Sequence, residues 1–259
     1  MLDVRRPLTR GCISDFSGAA TTLSQLRGNG VVRNKSLIIP FHFGQTVNSI
    51  EYVQLDPGAS VGEHVQDVDE IYFLLKGAGE LTTNGEMGLV QAGDLVLAPR
   101  FTMHSIQNTY DIPLDFLVIE VRTDSYAKGE PTTITDLASR FQPTKTLFPA
   151  RLRGELTELL AVTMDLRKYF TGSWDHLSLV ELPAACRLDA YCLSKYDENL
   201  LVYGGHGSIE VDGHEFLTDE EARYGLNAYV PACIPRRVIN RSSVEPLRLL
   251  SVRFRQESE

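Results

Sequence analysis

A chain of 259 residues with a formal net charge of −9 and a pI near 5.2 offers no basic surface for nucleic acid, so no such partner is expected. No run of about eighteen apolar residues is present, and the charged start MLDVRRPLTRG has no apolar leader behind it; neither a membrane span nor a secretory signal is expected. With 43% hydrophobic and 23% charged residues, the reading is a soluble, cytoplasmic protein with enough core for two small β domains.

Residues 1–35 mix turn-rich pieces (SDFSGAATT, RGNGVVRN) with no long period and read as an arm that packs against or between domains. From residue 36 the pattern turns strand-like. SLIIPFHF, SIEYVQL, EIYFLL, GELTT, DLVLA, SIQN and LDFLVIEV are short, rich in β-branched and aromatic residues, and separated by Gly, Pro, Asp and Asn. Many short strands with frequent turn signals predict an all-β sandwich or barrel rather than alternating strands and helices. Residues 126–168 break the pattern with Pro131, Pro143 and Pro149 and include GELTELLAV, which has the composition of a short helix; they read as a linker. Cys12, Cys186, Cys192 and Cys233 form no C-x-x-C pair and are expected to be free thiols.

The last ninety residues repeat the earlier ones. EIYFLLKGAGELTTNG against ENLLVYGGHGSIEVDG sets Glu198 on Glu70, Gly205 on Gly77, Gly207 on Gly79 and Gly213 on Gly85. GDLVLAPRFTMHSIQN against GLNAYVPACIPRRVIN sets Gly225 on Gly93, Pro231 on Pro99, Arg236 on His104 and Asn240 on Asn108. The closing strands IPLDFLVIEV and EPLRLLSVRF also match. A repeat of this length points to two copies of one supersecondary unit.

The better-preserved copy runs from Gly58 to Asn108. Gly58, His64, Gln66, Glu70 and Gly77, then Gly93, Pro99, Phe101, His104 and Asn108, follow the spacing G-x5-H-x-H-x3-E-x6-G and G-x5-P-x-G-x2-H-x3-N. Eight of the ten fixed positions agree; Gln66 replaces a His and Phe101 a Gly. This resembles the two-part signature of the cupin superfamily. The resemblance implies tandem double-stranded β-helix (cupin, or jelly-roll) barrels, a bicupin: an arm over 1–35, a first barrel over 36–125 with the metal motif, a linker over 126–168, and a degenerate second barrel over 169–259.

Alternation along a strand puts His64 and Gln66 on one side. In cupins the motif positions converge on one metal ion, so the resemblance implies His64, Gln66, Glu70 and His104 as ligands. Two His and one carboxylate suit a first-row divalent cation, with Fe(II) or Mn(II) ahead of Zn, Ni or Co. Gln66 offers a neutral amide, either as a ligand or as a group that meets a bound water or the substrate. Strand parity places Tyr72 on the face of Glu70 and Ile106 on that of His104. Gln66 and Tyr72 are therefore the candidate catalytic residues, and Tyr72, Phe101, Met103, Ile106 and His42 the candidate substrate pocket. In the second copy the position of His64 falls on Ala190 or Tyr191 and that of Gln66 on Cys192 or Leu193, so only Glu198 survives and Arg236 is available to pair with it.

The resemblance implies a metal-dependent enzyme acting on a small organic molecule, with a lean towards dioxygenase (oxidoreductase) chemistry of the Fe(II) type. A Mn- or Zn-dependent isomerase, cyclase or hydrolase is the first alternative. Ureidoglycine aminohydrolases, bicupins with a Mn site of Glu, two His and Gln, share the residue types in another order and in the other barrel. A non-catalytic ligand-binding or sensor cupin is the second alternative. A homodimer is the expected assembly.

Overall fold

Apolar side chains at every second position, cut by glycine and asparagine turns, leave the chain little choice but antiparallel pairing. The computed structural model describes residues 13–15, 21–24, 28–38, 47–122, 143–152, 155–218 and 225–256. Their strands are β1 (Ile13–Asp15), β2 (Thr21–Ser24), β3 (Val31–Ile38), β4 (Val47–Leu55), β5 (Ser60–Val65), β6 (Asp69–Lys76) and β7 (Ala78–Thr83). Then come β8 (Glu86–Gln91), β9 (Leu95–Ala98), β10 (Met103–Gln107), β11 (Leu114–Val121), β12 (Pro143–Leu152), β13 (Glu155–Asp165) and β14 (Trp174–Leu182). The last are β15 (Cys186–Leu188), β16 (Tyr196–Gly204), β17 (Gly207–Val211), β18 (His214–Leu217), β19 (Leu226–Val230), β20 (Arg236–Asn240) and β21 (Leu247–Arg255). The chain is all-β among the described residues, apart from a single 3-10 turn at Leu166–Lys168. No helix among them is long and apolar enough to cross a membrane.

The strands divide into two units. In the N-terminal unit β2-β3-β4-β11-β6-β9 form a six-stranded sheet and β5-β10-β7-β8 a four-stranded one. The central strands β6 and β11 are buried almost throughout, whereas β7 alternates buried and half-buried residues. Leu55, Leu74, Leu81, Leu114 and Phe116 fill the core. Burying each such side chain is worth about 1.5–3 kcal/mol relative to exposure.

The C-terminal unit repeats this order. Its sheet runs β1-β19-β16-β21-β14-β13-β12-β15-β20-β17-β18, so β19-β16-β21-β14-β13-β12 copies the six-stranded order and β15-β20-β17-β18 the four-stranded one. The copies match in detail. Asn108 donates to the carbonyls of Leu55 and Ile112, and Asn240 to those of Leu182 and Glu245, bracing the same turn. Gly77 (φ 81°) and Gly205 (φ 84°) occupy left-handed turns, where an added Cβ would lie 2.5 Å from the Pro113 carbonyl oxygen and 2.4 Å from that of Pro246. Gly77→Ala combines that backbone clash with a conformation costly for any L-side chain. It should lower unfolding stability by more than about 2 kcal/mol, read from the urea midpoint.

The described parts of 1–35 pack as strands: β2 and β3 belong to the six-stranded sheet, and β1 pairs with the edge of β19. One expectation changes. The stretch 126–168 is not all linker, because β12 and β13 pair over most of their length. Pro149 is tolerated because the pairing breaks between Thr146 and Ala150, where a missing N–H costs no ladder bond. Cys186, Cys192 and Cys233 are free thiols, and Cys12 lies outside the described residues.

Candidate metal centre

β5 and β10 run antiparallel with His104 directly opposite His64, and the two imidazoles meet edge to face with centroids 4.4 Å apart. Glu70 comes from β6, in the other sheet. Ligand atoms of His64, Glu70 and His104 all lie within 4.8 Å of one another. Each ring has one nitrogen turned to the backbone: His64 Nδ1 is 2.8 Å from the Gly62 carbonyl oxygen, and His104 Nδ1 is 3.0 Å from that of Thr102. A carbonyl can only accept, so both Nδ1 atoms carry the proton and both Nε2 atoms keep a lone pair for the cavity.

Glu70 is 1% exposed and His104 3%. Oε1 of Glu70 accepts a hydrogen bond from Gln66 Nε2 at 2.8 Å, and Oε2 accepts one from the Tyr72 hydroxyl at 3.0 Å. The same hydroxyl lies 2.8 Å from His104 Nε2, which in turn is 2.9 Å from Glu70 Oε2. Two acceptors thus face each other with one phenol proton to share. A metal cation at this point would offset the charge of the carboxylate, which is costly to bury without a counter-charge. Two neutral imidazoles and one carboxylate are the donor set for a first-row divalent ion, so the residues fit such a metal. Burial, reinforced by the neighbouring Glu70, holds the Tyr72 phenol well above its usual range, and it keeps its proton at physiological pH.

The three residues open on a cavity of about 410 Å³. Gln66, Tyr72 and Ile106 are on its wall, as strand parity implies. Phe101 and Met103 are not. Met103 has the opposite parity to His104 and is 42% exposed; Phe101 sits in the preceding turn and is 60% exposed. Phe101 takes φ 64°, the left-handed conformation for which the motif uses glycine, and this holds its N–H 2.7 Å from the Gln66 carbonyl oxygen. His42 lies outside the described residues.

Two ionisable wall residues went unread in the sequence, Glu51 on β4 and Glu120 on β11. Glu120 pairs directly across β11 and β6 with Glu70, and Glu51 pairs with Val118 across β4 and β11. Burial pushes the Glu120 carboxyl up; Asn48, donating at 2.5 Å, opposes this, and Glu70 and Glu51 add to it. Only the alternation of β4 and β11 could have flagged them, and neither strand carries a motif.

The C-terminal unit resolves the ambiguous repeat positions. Tyr191 bridges Arg236 as His64 pairs with His104, and Cys233 N–H donates to the Leu193 carbonyl as Phe101 does to Gln66. Tyr191 therefore stands at the position of His64 and Leu193 at that of Gln66. Glu198, 1% exposed, takes four donors: the Tyr191 hydroxyl at 2.8 Å, Ser251 at 2.7 Å, and Arg236 and Arg253 at 3.2 Å each. The Arg236 guanidinium and the Tyr191 phenol fill the places where the other unit gathers imidazoles.

A protein-family model described as "Cupin domain" matches residues 51–120. An oxalate-binding protein of Thermotoga maritima is 32% identical over 99 residues, which span 38% of this chain and 82% of that protein. The chain belongs to the cupin superfamily. Solved cupin-like structures agree over nearly the whole length. Bacillus subtilis oxalate decarboxylase, with Mn(II) centers, is 16% identical with a TM-score of 0.65, covering 96% of this chain and 78% of that one. Protein Ylba from E. coli is 10% identical with a TM-score of 0.69, covering 95% and 92%. At these identities the likeness concerns the fold alone.

Proposed function

We propose that the N-terminal unit is a divalent-metal enzyme centre for a small organic molecule, with His64, Glu70 and His104 as the metal ligands. The observation that carries this is the pair of buried acceptors, Glu70 Oε2 and His104 Nε2, held 2.9 Å apart at the wall of a cavity. When bound, a first-row ion in such a three-ligand set supplies Lewis acidity and, as Fe(II) or Mn(II), oxygen chemistry with positions left for substrate. The chain's own groups do the rest. Gln66 holds one carboxylate oxygen of Glu70, which supports a positioning role over that of a fourth ligand. Tyr72 keeps its proton and offers a hydrogen bond at the ligand atoms. Val53, Val61, Phe116 and Val118 exclude water around the site.

Two neighbouring readings differ in what they require. An oxygenase of the Fe(II) type draws support from the donor set of two His and one carboxylate. A Mn-dependent, non-oxidative enzyme draws support from the Mn(II) centers of the decarboxylase with this fold. Protein purified without chelator is expected to hold about one metal equivalent per chain, all of it in the N-terminal unit. Metal well below stoichiometry, with an unchanged fold in His104→Ala, would instead favour a ligand-binding module. Oxygen consumption during turnover separates the two enzyme readings: turnover without uptake removes the oxygenase.

The domain limits that follow are a first cupin barrel from β2 to β11 and a second from β12 to β21. The edge strand β8 turns Met87 (70% exposed) and Leu89 (67%) outward. We assign this edge to a homodimer contact, since an unprotected apolar edge invites pairing. Met87→Asp/Leu89→Asp should convert a dimeric elution in size exclusion to a monomeric one. A wild type that elutes as a monomer rejects the contact.

A further inference from the structure

The two units treat charge in opposite ways. Around Glu198 the C-terminal unit places two guanidinium groups, Arg236 and Arg253. Around Glu70 the N-terminal unit places two more carboxylates, Glu51 and Glu120, and no Lys or Arg among the described lining residues. At one position the charge is reversed, and at the other it is replaced by a neutral hydroxyl. Glu120 pairs with Glu70 as Arg253 pairs with Glu198, and Glu51 pairs with Val118 where Ser178 pairs with Ser251. The donors that reach these carboxylates are neutral amides: Asn34 on Glu51, and Asn48 on Glu120 at 2.5 Å. Asn48 is itself held by Arg122, whose Nε lies 2.9 Å from its carbonyl oxygen at an exposed position.

A divalent ion at His64, Glu70 and His104 offsets two of the three formal negative charges. The rest of the cavity remains acidic, with apolar walls at Val53, Val61 and Phe116. Such a wall favours hydrogen-bond donors and positive charge and penalises a second anion, which would enter a poorly hydrated space beside like charges. We propose that this cavity selects a small neutral or cationic molecule bearing amide or amine donors and rejects dicarboxylate anions, with Glu51 and Glu120 as the specificity-determining residues. This rests on the metal-centre reading for the position of the ligand and departs from the oxalate ligand named for the Thermotoga relative.

Malonamide and malonate share a skeleton and differ in charge, which makes them a suitable probe pair. Calorimetric titration of the metal-loaded full chain compares them on wild type and on Glu51→Gln/Glu120→Gln, with metal content measured in the same samples. Glutamine keeps the size and an acceptor oxygen, and each single variant repeats the test if the double variant fails to fold. Wild type is expected to prefer malonamide, and the ratio of the two affinities should swing by about tenfold or more towards malonate in the double variant. An unchanged ratio overturns the proposal, as does a wild type that binds malonate more tightly or binds neither probe. Metal content near zero in wild type is a separate failure, of the metal centre, and a malonamide preference in that metal-free protein still supports the acidic wall as the selector.

Discussion

Replacing Arg236 with alanine is expected to destabilise the C-terminal unit by about 3–5 kcal/mol, the cost of leaving a buried charge without its partner. Arg236 is fully buried, its guanidinium donates to Glu198 at 3.2 Å and to the carbonyls of Val230 and Pro231, and its charge lies over the Tyr191 ring. Removing it opens a cavity and leaves Glu198, a carboxylate that is 1% exposed, with only the partly exposed Arg253 as a counter-charge. The chain has a single tryptophan, Trp174, buried in this unit, so its fluorescence reports urea unfolding of this half. The midpoint should fall in Arg236→Ala and recover in Arg236→Met/Glu198→Gln, where no charge is stranded. An unchanged midpoint in the single variant would mean that Arg253, Tyr191 and Ser251 satisfy Glu198 unaided. The pair would then be ornamental to stability.

What the sequence disclosed follows from where its information is local. His64, Gln66 and Glu70 lie within seven residues, and Gly77, Pro99 and Asn108 mark turns with strict backbone demands, so the barrel motif and its second copy are readable from spacing. The pairing of Arg236 with Glu198 was readable in the same way, because the repeat places Arg236 on the His104 position. Glu51 and Glu120 were not, since they reach the cavity only through the registers that set Glu120 against Glu70 and Glu51 against Val118. A one-residue slip in either pairing would send them to the opposite face. The strands β12 and β13 were hidden for another reason. Three prolines suggested a broken segment, and the bulge that admits Pro149 is a property of the pairing, not of the residue. Phe101 misled because its turn resembles a pocket rim in sequence, whereas the left-handed backbone turns the ring to solvent.

His104→Ala should abolish metal binding while leaving the N-terminal unit folded. The variant loses one of two imidazole ligands, yet Glu70 keeps hydrogen bonds from Gln66 and Tyr72, so its carboxylate is not stranded. The readout is stability against added metal. A ligand at a hundred times its Kd adds about 2.7 kcal/mol to the folded state. Wild type should therefore gain in thermal midpoint on addition of Mn(II) or Fe(II), and His104→Ala should gain nothing. Gln66→Ala separates the two roles left open for that residue. As a positioning group it orients Glu70, and its loss should weaken all divalent ions alike, by about 10–100-fold. As a ligand it would bias the site towards harder ions, and Gln66→His would raise affinity for Zn and Ni far more than for Mn. The hydrogen bond from Gln66 Nε2 to Glu70 Oε1 favours the first outcome, because it ties the side chain to the carboxylate that the metal needs held still.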